Sequence, residues 1–330
     1  MSTLSTLDGK NENLFVRTSR FVLTRYSLVL LWALMIVVLV LVIPNGVNPV
    51  AALRAVLGQM SPIIFLGLAV VVTMAVGEFD LSFAYIFGFS AVAVPSLNVL
   101  YGLPIWLAIL LSMVSALIWG LINGLLIVKV GINSVVVTLG TGSVAAGLGF
   151  FLSQETTVSG IDPALSAIAT ARFLDLPLLF WYGLILVIVL AYIMSATPIG
   201  RNMLFVGSNP AVAKLAGISV TSVRIGAYLA SAALCGFAGI IMALGLGGYN
   251  PGSAATLLMP TFAAVFLGTV AVIPGRFNPL GMMIAAYFLM TGIFGLQLLG
   301  LTGWVVQVFY GAALVIAVTV SHVLRKRIKS

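Results

Sequence analysis

Charge is what this sequence has least of. Lys, Arg, Asp and Glu together make up 7% of 330 residues, and only seven of these are carboxylates. A soluble globule carries roughly 25% charged residues, so a water-soluble fold is excluded. The single cysteine, Cys235, lies in an apolar run, which rules out a disulfide within the chain and leaves it as a packing residue. The single histidine, His322, adjoins the basic run Arg325 to Lys329, and no His, Cys or carboxylate cluster has metal-ligand spacing. No Gly-x4-Gly-Lys-Ser/Thr stretch occurs, so the chain does not cradle nucleotide phosphates in that way. The apolar stretches hold no polar catalytic constellation, which speaks against a membrane hydrolase.

What is present is apolar. Hydrophobic residues make up 62% of the chain and the mean hydropathy is +1.25. Runs of this kind, separated by Gly, Pro, Asn or charge, predict an all-helical integral membrane protein with about ten transmembrane helices. The expected spans are about 27–43, 51–76, 81–100, 105–128, 134–152, 181–197, 225–247, 254–273, 279–299 and 303–322. The first is too long for a signal-peptide core and its end, VIPNGVNP, lacks a small-residue cleavage pattern, so it reads as an uncleaved span. With the N-terminus inside, 13 of the 15 basic residues fall in cytoplasmic segments and only Arg54 and Arg172 fall outside. The flipped orientation would invert that bias, so both termini are expected in the cytoplasm. The net charge of +8 is thereby read as a topology signal, and no nucleic acid is expected as a partner.

One internal connection, about 198–224, differs from its surroundings in being rich in Gly, Asn and Ser. Within it Ser208-Asn209-Pro210 is a helix start: a side-chain oxygen stands before a proline at the first helical position, where a missing N–H costs nothing. Ala211 to Ala216 favour helix and Gly217 suits a left-handed stop, predicting about two turns of helix on the cytoplasmic face. A helix so short is not stable alone in water. Either it packs on its own neighbours or a cytoplasmic partner grips it. The external segment 153–180 is the longest on its side, and a short interfacial helix or a cap over the external mouth is expected there.

The carboxylates Glu78 and Asp80, in MAVGEFDLSFAY, interrupt apolar runs at the expected cytoplasmic end of the second span. Three readings stand: a proton relay, a contact to substrate or partner, and helix-start chemistry, with Asp80 as a structural cap of the third span helped by Ser82. Among the scarce polar side chains within spans, Asn123, Thr141 and Gln297 are candidates, with Glu78, for a pathway or gate; helix-to-helix packing is the competing reading for each. Spans two to five and seven to ten would be related by inverted topology.

These segments resemble the permease subunits of bacterial ABC importers of the ribose, xylose and arabinose type, from about Leu53 to Val323. FDLS, Phe79 to Ser82, stands where that family has Gly-Ile-Asp-Leu-Ser. GRNMLFVGSNPAVAKLAGISV, Gly200 to Val220, is similar to a family loop of the form Gly-Arg-x-x-Tyr-Ala-x-Gly-Gly-Asn-x-x-Ala-Ala-x-x-Ser-Gly-Ile. FAAVFLGTVAVIPGRFNPLG, Phe262 to Gly281, aligns without gaps on a segment ending in a Gly-rich basic turn. Two departures stand out. Glu78-Phe79 replaces Gly-Ile, and Leu258 to Ala264, LMPTFAA, replaces Glu-Leu-Asp-Ala-Ile-Ala-Ala, losing two carboxylates.

The resemblance implies a type II ABC importer permease-like fold with a cytoplasmic N-terminal segment 1–25, a transmembrane permease domain 26–323 and a basic tail 324–330. It implies a bacterial inner-membrane subunit that performs no bond chemistry and moves a monosaccharide or similar small polyol. The partners it implies are a second permease copy, identical or related, two cytoplasmic ATPase domains and a periplasmic sugar-binding protein, all set in membrane lipid. The chain itself holds no cofactor, and ATP is bound by the partner. Coupling to the ATPase falls on Gly207, Asn209, Pro210, Ala213, Lys214, Gly217 and Ile218. The alternative from another class is a proton-coupled secondary transporter working through Glu78 and Asp80.

Overall fold

Apolar chain in a bilayer must satisfy its own backbone, and a helix does so within one segment. The computed structural model describes residues 14–42, 48–59 and 61–329, so the expected N-terminal segment lies outside the described residues as far as residue 13. The helices are α1 (Leu14–Val42), α2 (Pro49–Gln59), α3 (Ser61–Ala75), α4 (Phe83–Pro95), α5 (Ile105–Leu125), α6 (Ser134–Leu152) and α7 (Pro163–Thr170). They continue with α8 (Leu178–Ala196), α9 (Pro198–Ser208), α10 (Pro210–Leu215), α11 (Val220–Leu246), α12 (Leu258–Gly268), α13 (Pro279–Leu298) and α14 (Trp304–Lys329). Strand β1 (Val158–Ser159) pairs antiparallel with β4 (Gly248–Tyr249), and β2 (Arg172–Phe173) with β3 (Leu176–Pro177).

Among the described residues six helices are long and apolar enough to cross a bilayer: Phe83–Leu100, Ile105–Val130, Ser134–Leu152, Leu178–Ala196, Val220–Leu246 and Pro279–Leu298. The first two gain their length from π-helical turns that prolong α4 and α5. The expected second span is not one straight helix, because α2 and α3 meet at a bend of 51°. Pro62 explains the break: it has no N–H to donate to residue 58, and its ring collides with that carbonyl in a continuous helix. Three shorter apolar helices, Tyr26–Val42, Ala254–Gly268 and Trp304–Val320, complete the apolar set. The eighth segment stops at Gly268, short of the expected 273, where Thr269 to Gly275 turn back on themselves through successive short-range backbone bonds.

The core forms around α11, which packs on α3, α4 and α5. Contact there is close enough to need glycine: a Cβ on Gly239 would lie 2.5 Å from the Phe87 carbonyl oxygen and 2.9 Å from the Ala91 nitrogen. Small residues at such crossings let helices approach where no water is present to drive them together. Large aliphatic side chains on the outer faces of α5 and α8, Leu110, Ile118, Ile185 and Ile188 among them, stay exposed for lipid.

The bundle has two chemically distinct ends. One carries Lys129, Arg201, Lys214, Arg224 and Arg276, on the turn after α5, on α9 and α10, at the start of α11 and before α13. The other carries Arg54, which bridges to Asp175 at 2.8 Å, and Arg172. That end is built from α7, capped by Asp162 at 2.9 Å from the Ala164 N–H, the β2–β3 hairpin and the β1–β4 pair.

The crossing at Gly239 is testable against Gly226 on the same helix, where an added Cβ meets nothing within 4 Å. Gly239→Ala should destabilise the purified protein by about 1–3 kcal/mol through overpacking, whereas Gly226→Ala should be neutral or gain up to about 1 kcal/mol from helix propensity. Thermal unfolding in detergent reads both, and equal losses would refute the α4–α11 contact.

Candidate functional site

The basic end holds both features singled out from the sequence. Glu78 and Asp80 lie in the connection between α3 and α4, and both are buried, Asp80 at 1% exposure. The N-cap of α4 is Ser82, whose own side chain makes no cap bond. Asp80 stands two residues ahead of it and accepts from the Ser82 N–H at 2.8 Å and the Ser82 hydroxyl at 2.6 Å through Oδ1. Its Oδ2 accepts from the Ser231 hydroxyl of α11 at 3.2 Å. Burial pushes the Asp80 carboxyl up from its ordinary value, and the bonds from Ser82 and Ser231 draw it back.

The network continues outward from Ser82. Its oxygen accepts from Asn123 Nδ2 of α5 at 2.8 Å, and the Thr141 hydroxyl of α6 lies 2.6 Å from Asn123 Oδ1. Thr138, one turn earlier on α6, accepts from the Leu81 N–H at 3.0 Å. Asn123 and Thr141, candidates for the pathway, are thus brought together with Asp80 in bonds between helices. Gln297 is not: it is exposed in the last turn of α13, a helix of 20 residues and so about 30 Å long, whose first turn follows Arg276 and Phe277 at the basic end.

Glu78 has partners that sequence reasoning missed. Arg224 Nε donates to its Oε1 at 2.5 Å, the same guanidinium closes an ion pair with that oxygen, and Tyr228 donates to Oε2 at 3.2 Å. Arg224 had counted only as a topology signal. Arg224, Tyr228 and Ser231 recur at helical spacing along one face of α11, a polar stripe in an apolar helix that was there to be read. Phe79, between the two carboxylates, stacks on Phe262 of α12 with centroids 5.0 Å apart, and Phe83 meets the same ring edge-on at 5.3 Å.

The connection 198–224 contains α9 and α10. Thr197 caps α9 ahead of Pro198, and its hydroxyl accepts from the Gly200 N–H at 3.3 Å; the sequence reading had no helix there. In α10 Asn209 Oδ1 accepts from the N–H groups of Ala211 and Val212 at 3.1 and 3.2 Å, and Pro210 takes the first helical position. The helix ends on Gly217 at φ +81°, where Ile218 N–H bonds Ala213 O and Gly217 N–H bonds Lys214 O. That is a Schellman stop, which fixes both ends of a six-residue helix. Ala213 is buried and Ile218 packs on the core, while Lys214, Val212 and Leu215 face outward, Leu215 at 88% exposure. Gly207 sits where a Cβ would meet the Ala75 carbonyl oxygen, so α9 lies directly on the end of α3. A cavity of about 510 Å³ opens beside this contact, lined by Arg201, Phe205, Arg276 and Phe277.

A protein family described as "Branched-chain amino acid transport system / permease component" matches residues 52–318. The chain belongs to that family. The permease is 27% identical to the fructose import permease protein FrcC of Rhizobium meliloti over 282 residues, 82% of this chain and 78% of the relative. It is 29% identical to the autoinducer 2 import system permease protein LsrC of Photorhabdus luminescens over 243 residues, 73% of each. It is also 29% identical to the corresponding LsrD of Salmonella typhi over 286 residues, 82% of this chain and 85% of the relative. No solved structure matches the permease. It is a multi-pass subunit of an ABC import system in the bacterial inner membrane, not an enzyme, and such subunits work with an ATPase and a substrate-binding protein.

The two carboxylates make separable predictions. Arg224→Ala leaves the Glu78 side chain, 8% exposed, without its cation, and should cost up to about 3–5 kcal/mol. Glu78→Ala should cost less, because the Arg224 side chain is already 26% exposed and can turn to water. Asp80→Asn keeps an acceptor for Ser82, whereas Asp80→Ala strands two hydroxyls, so folded yield in membranes should fall from wild type to Asn to Ala. Equal losses for both members of the ion pair, or Asn below Ala, would refute these roles.

Proposed function

We propose that the permease is the membrane-spanning subunit of an ATP-driven importer for a monosaccharide or similar small polyol delivered by a periplasmic binding protein. The six long helices, the bent α2–α3 pair and the three shorter apolar helices make its ten crossings, with both termini and the basic end in the cytoplasm. Two copies of the permease, or this one and a related subunit, form the pathway, and two ATPase domains dock below. ATP is bound by those domains.

The observation that carries the reading is α10, a six-residue helix fixed at both ends whose apolar tip Leu215 projects 88% exposed beside Lys214. A helix of this length has no stability of its own, so its definition comes from Asn209, Gly217 and the buried Ala213. It acts as a rigid lever: Asn209, Pro210, Lys214 and the exposed face of α10 meet the ATPase, while Ala213 and Ile218 hold the permease. Through Gly207 its movement reaches Ala75 and the carboxylate connection, which switches the pathway between its outward-open and inward-open forms. Import of fructose and of autoinducer 2, the functions carried in the relatives' names, supports a polyol substrate. Glu78 is already paired with Arg224 and Tyr228, which favours a fixed structural pair over a proton carrier.

Leu215→Asp, at an exposed position, should leave the thermal stability of the permease unchanged and weaken co-purification of its ATPase by about 30-fold, the loss of one interface hot spot of roughly 2 kcal/mol. Replacing Asn209 to Lys214 with Gly and Ser should release the ATPase altogether. Full retention of the partner and of coupled ATP hydrolysis in both variants would overturn the docking role.

A further inference from the structure

At the end of the bundle opposite the basic one, β1, β4, the turn before α12 and the start of α3 enclose a cleft of about 430 Å³, within the roughly 300–1,000 Å³ of small-molecule sites. Its lining combines hydroxyls and one amide, Thr157, Ser159, Asn250, Ser253 and Thr256, with aliphatic side chains from the start of α3, the end of α11 and the turn before α12. The rings of Phe87 and Tyr249, edge to face with centroids 5.8 Å apart and both buried, back its wall. No described residue lining it is charged.

The rim is only partly satisfied by its own bonds. Asn250 Nδ2 donates to Thr157 Oγ1 at 2.6 Å across the mouth, extending the β1–β4 register by one pair, and Asn250 Oδ1 accepts from the Gly252 N–H at 2.8 Å. The Ser159 and Ser253 hydroxyls make no hydrogen bond to another described residue, and both residues are exposed. Hydroxyls donate and accept alike, which suits a ligand that carries several hydroxyls of its own. An ionised ligand would enter with no opposite charge to meet it, and burying an unpaired charge is strongly unfavourable.

We propose that this cleft is the receiving site on the permease for a neutral polyhydroxylated ligand, read by Thr157, Ser159, Asn250 and Ser253, and that its lack of charge discriminates against ionised ligands. The assignment rests on the import reading above and adds a place and a selectivity rule to it. The Asn250–Thr157 bond is the clasp, whose donor turns to the ligand on entry.

The permease–ATPase complex in lipid nanodiscs carries the test, with Ser253→Cys as a reporter labelled by an uncharged maleimide and Ser159→Cys as a second reporter. Native Cys235 is fully buried and silent. D-fructose, D-ribose and mannitol are the un-ionised probes; L-leucine, a zwitterion, and ribose 5-phosphate, an anion, are the ionised ones. At least one neutral probe should slow labelling several-fold at both positions and neither ionised probe should, while labelling of Arg172→Cys, exposed at the same end but outside the cleft, stays unaffected. Asn250→Asp, nearly the same shape with a charge added, should abolish the protection without releasing the ATPase. No slowing by any neutral probe, equal slowing by leucine, or protection that survives Asn250→Asp would overturn the site. Failure of the import reading shows separately, as full retention of the ATPase and of coupled ATP hydrolysis in both Leu215→Asp and the Gly and Ser replacement of Asn209 to Lys214.

Discussion

A buried carboxylate must find its hydrogen-bond partners inside the protein, and meeting that demand twice within three residues determines how five helices of this permease meet. Asp80 has no water to turn to, so Ser82 and Ser231 must stand within reach, and that ties the start of α4 to α11. Ser82 in turn gives Asn123 an acceptor, and Asn123 gives one to Thr141, which adds α5 and α6. Glu78 draws Arg224 and Tyr228 to the end of α3. Each bond is modest in net worth, yet breaking any one leaves a polar group stranded at much greater cost, so the arrangement is specific. The close α4–α11 crossing at Gly239 is possible on top of this anchorage.

On the docking role proposed for α10, the same connection lies on the route from that helix into the bundle. α10 is held to the core by Ala213 and Ile218, and Gly207 of α9 rests on the carbonyl of Ala75, three residues before Glu78. Backbone against backbone is a stiff contact, because it has no side chain to absorb a displacement, and packed interfaces tend to switch between discrete arrangements. Under the proposed docking role, a displacement of α10 would arrive at the network as a shift of the α3 terminus relative to α11. A buried ion pair whose cation is still partly exposed is well placed there, since Arg224 can reach water when Glu78 moves.

Much of this was legible in the sequence. The apolar runs, the segregation of cations to one end and the Asn209-Pro210 to Gly217 helix follow from local chemistry, and local chemistry is what a single chain displays. The α2–α3 break was also present, in Pro62, but hidden by the hydropathy of its surroundings. The partners were not legible. In a membrane protein both the lipid face and the core face are apolar, so periodicity does not say which side of α11 turns inward, and the stripe Arg224, Tyr228, Ser231 gives a face without an address. The stack of Phe79 on Phe262 left a trace, since both stand where the family pattern has Ile, but pairing two departures 183 positions apart requires the fold.

The distribution of charge then gains a physical reading beyond topology. At the basic end, the Glu78–Arg224 ion pair and the buried Asp80 hold helices in fixed relation, where the proposed ATPase partner would push on them. At the other end Arg54 pairs with Asp175, neither of them lining the cleft, and the residues that do line it are uncharged: hydroxyls, an amide and apolar side chains. Hydroxyls exchange partners with water and with one another at little cost, whereas a charge holds what it has bound. A transport subunit has to release what it receives, so strong interactions belong to the structural network and weak ones to the passage, and with the cleft as the proposed receiving site the two are separated along the length of α11.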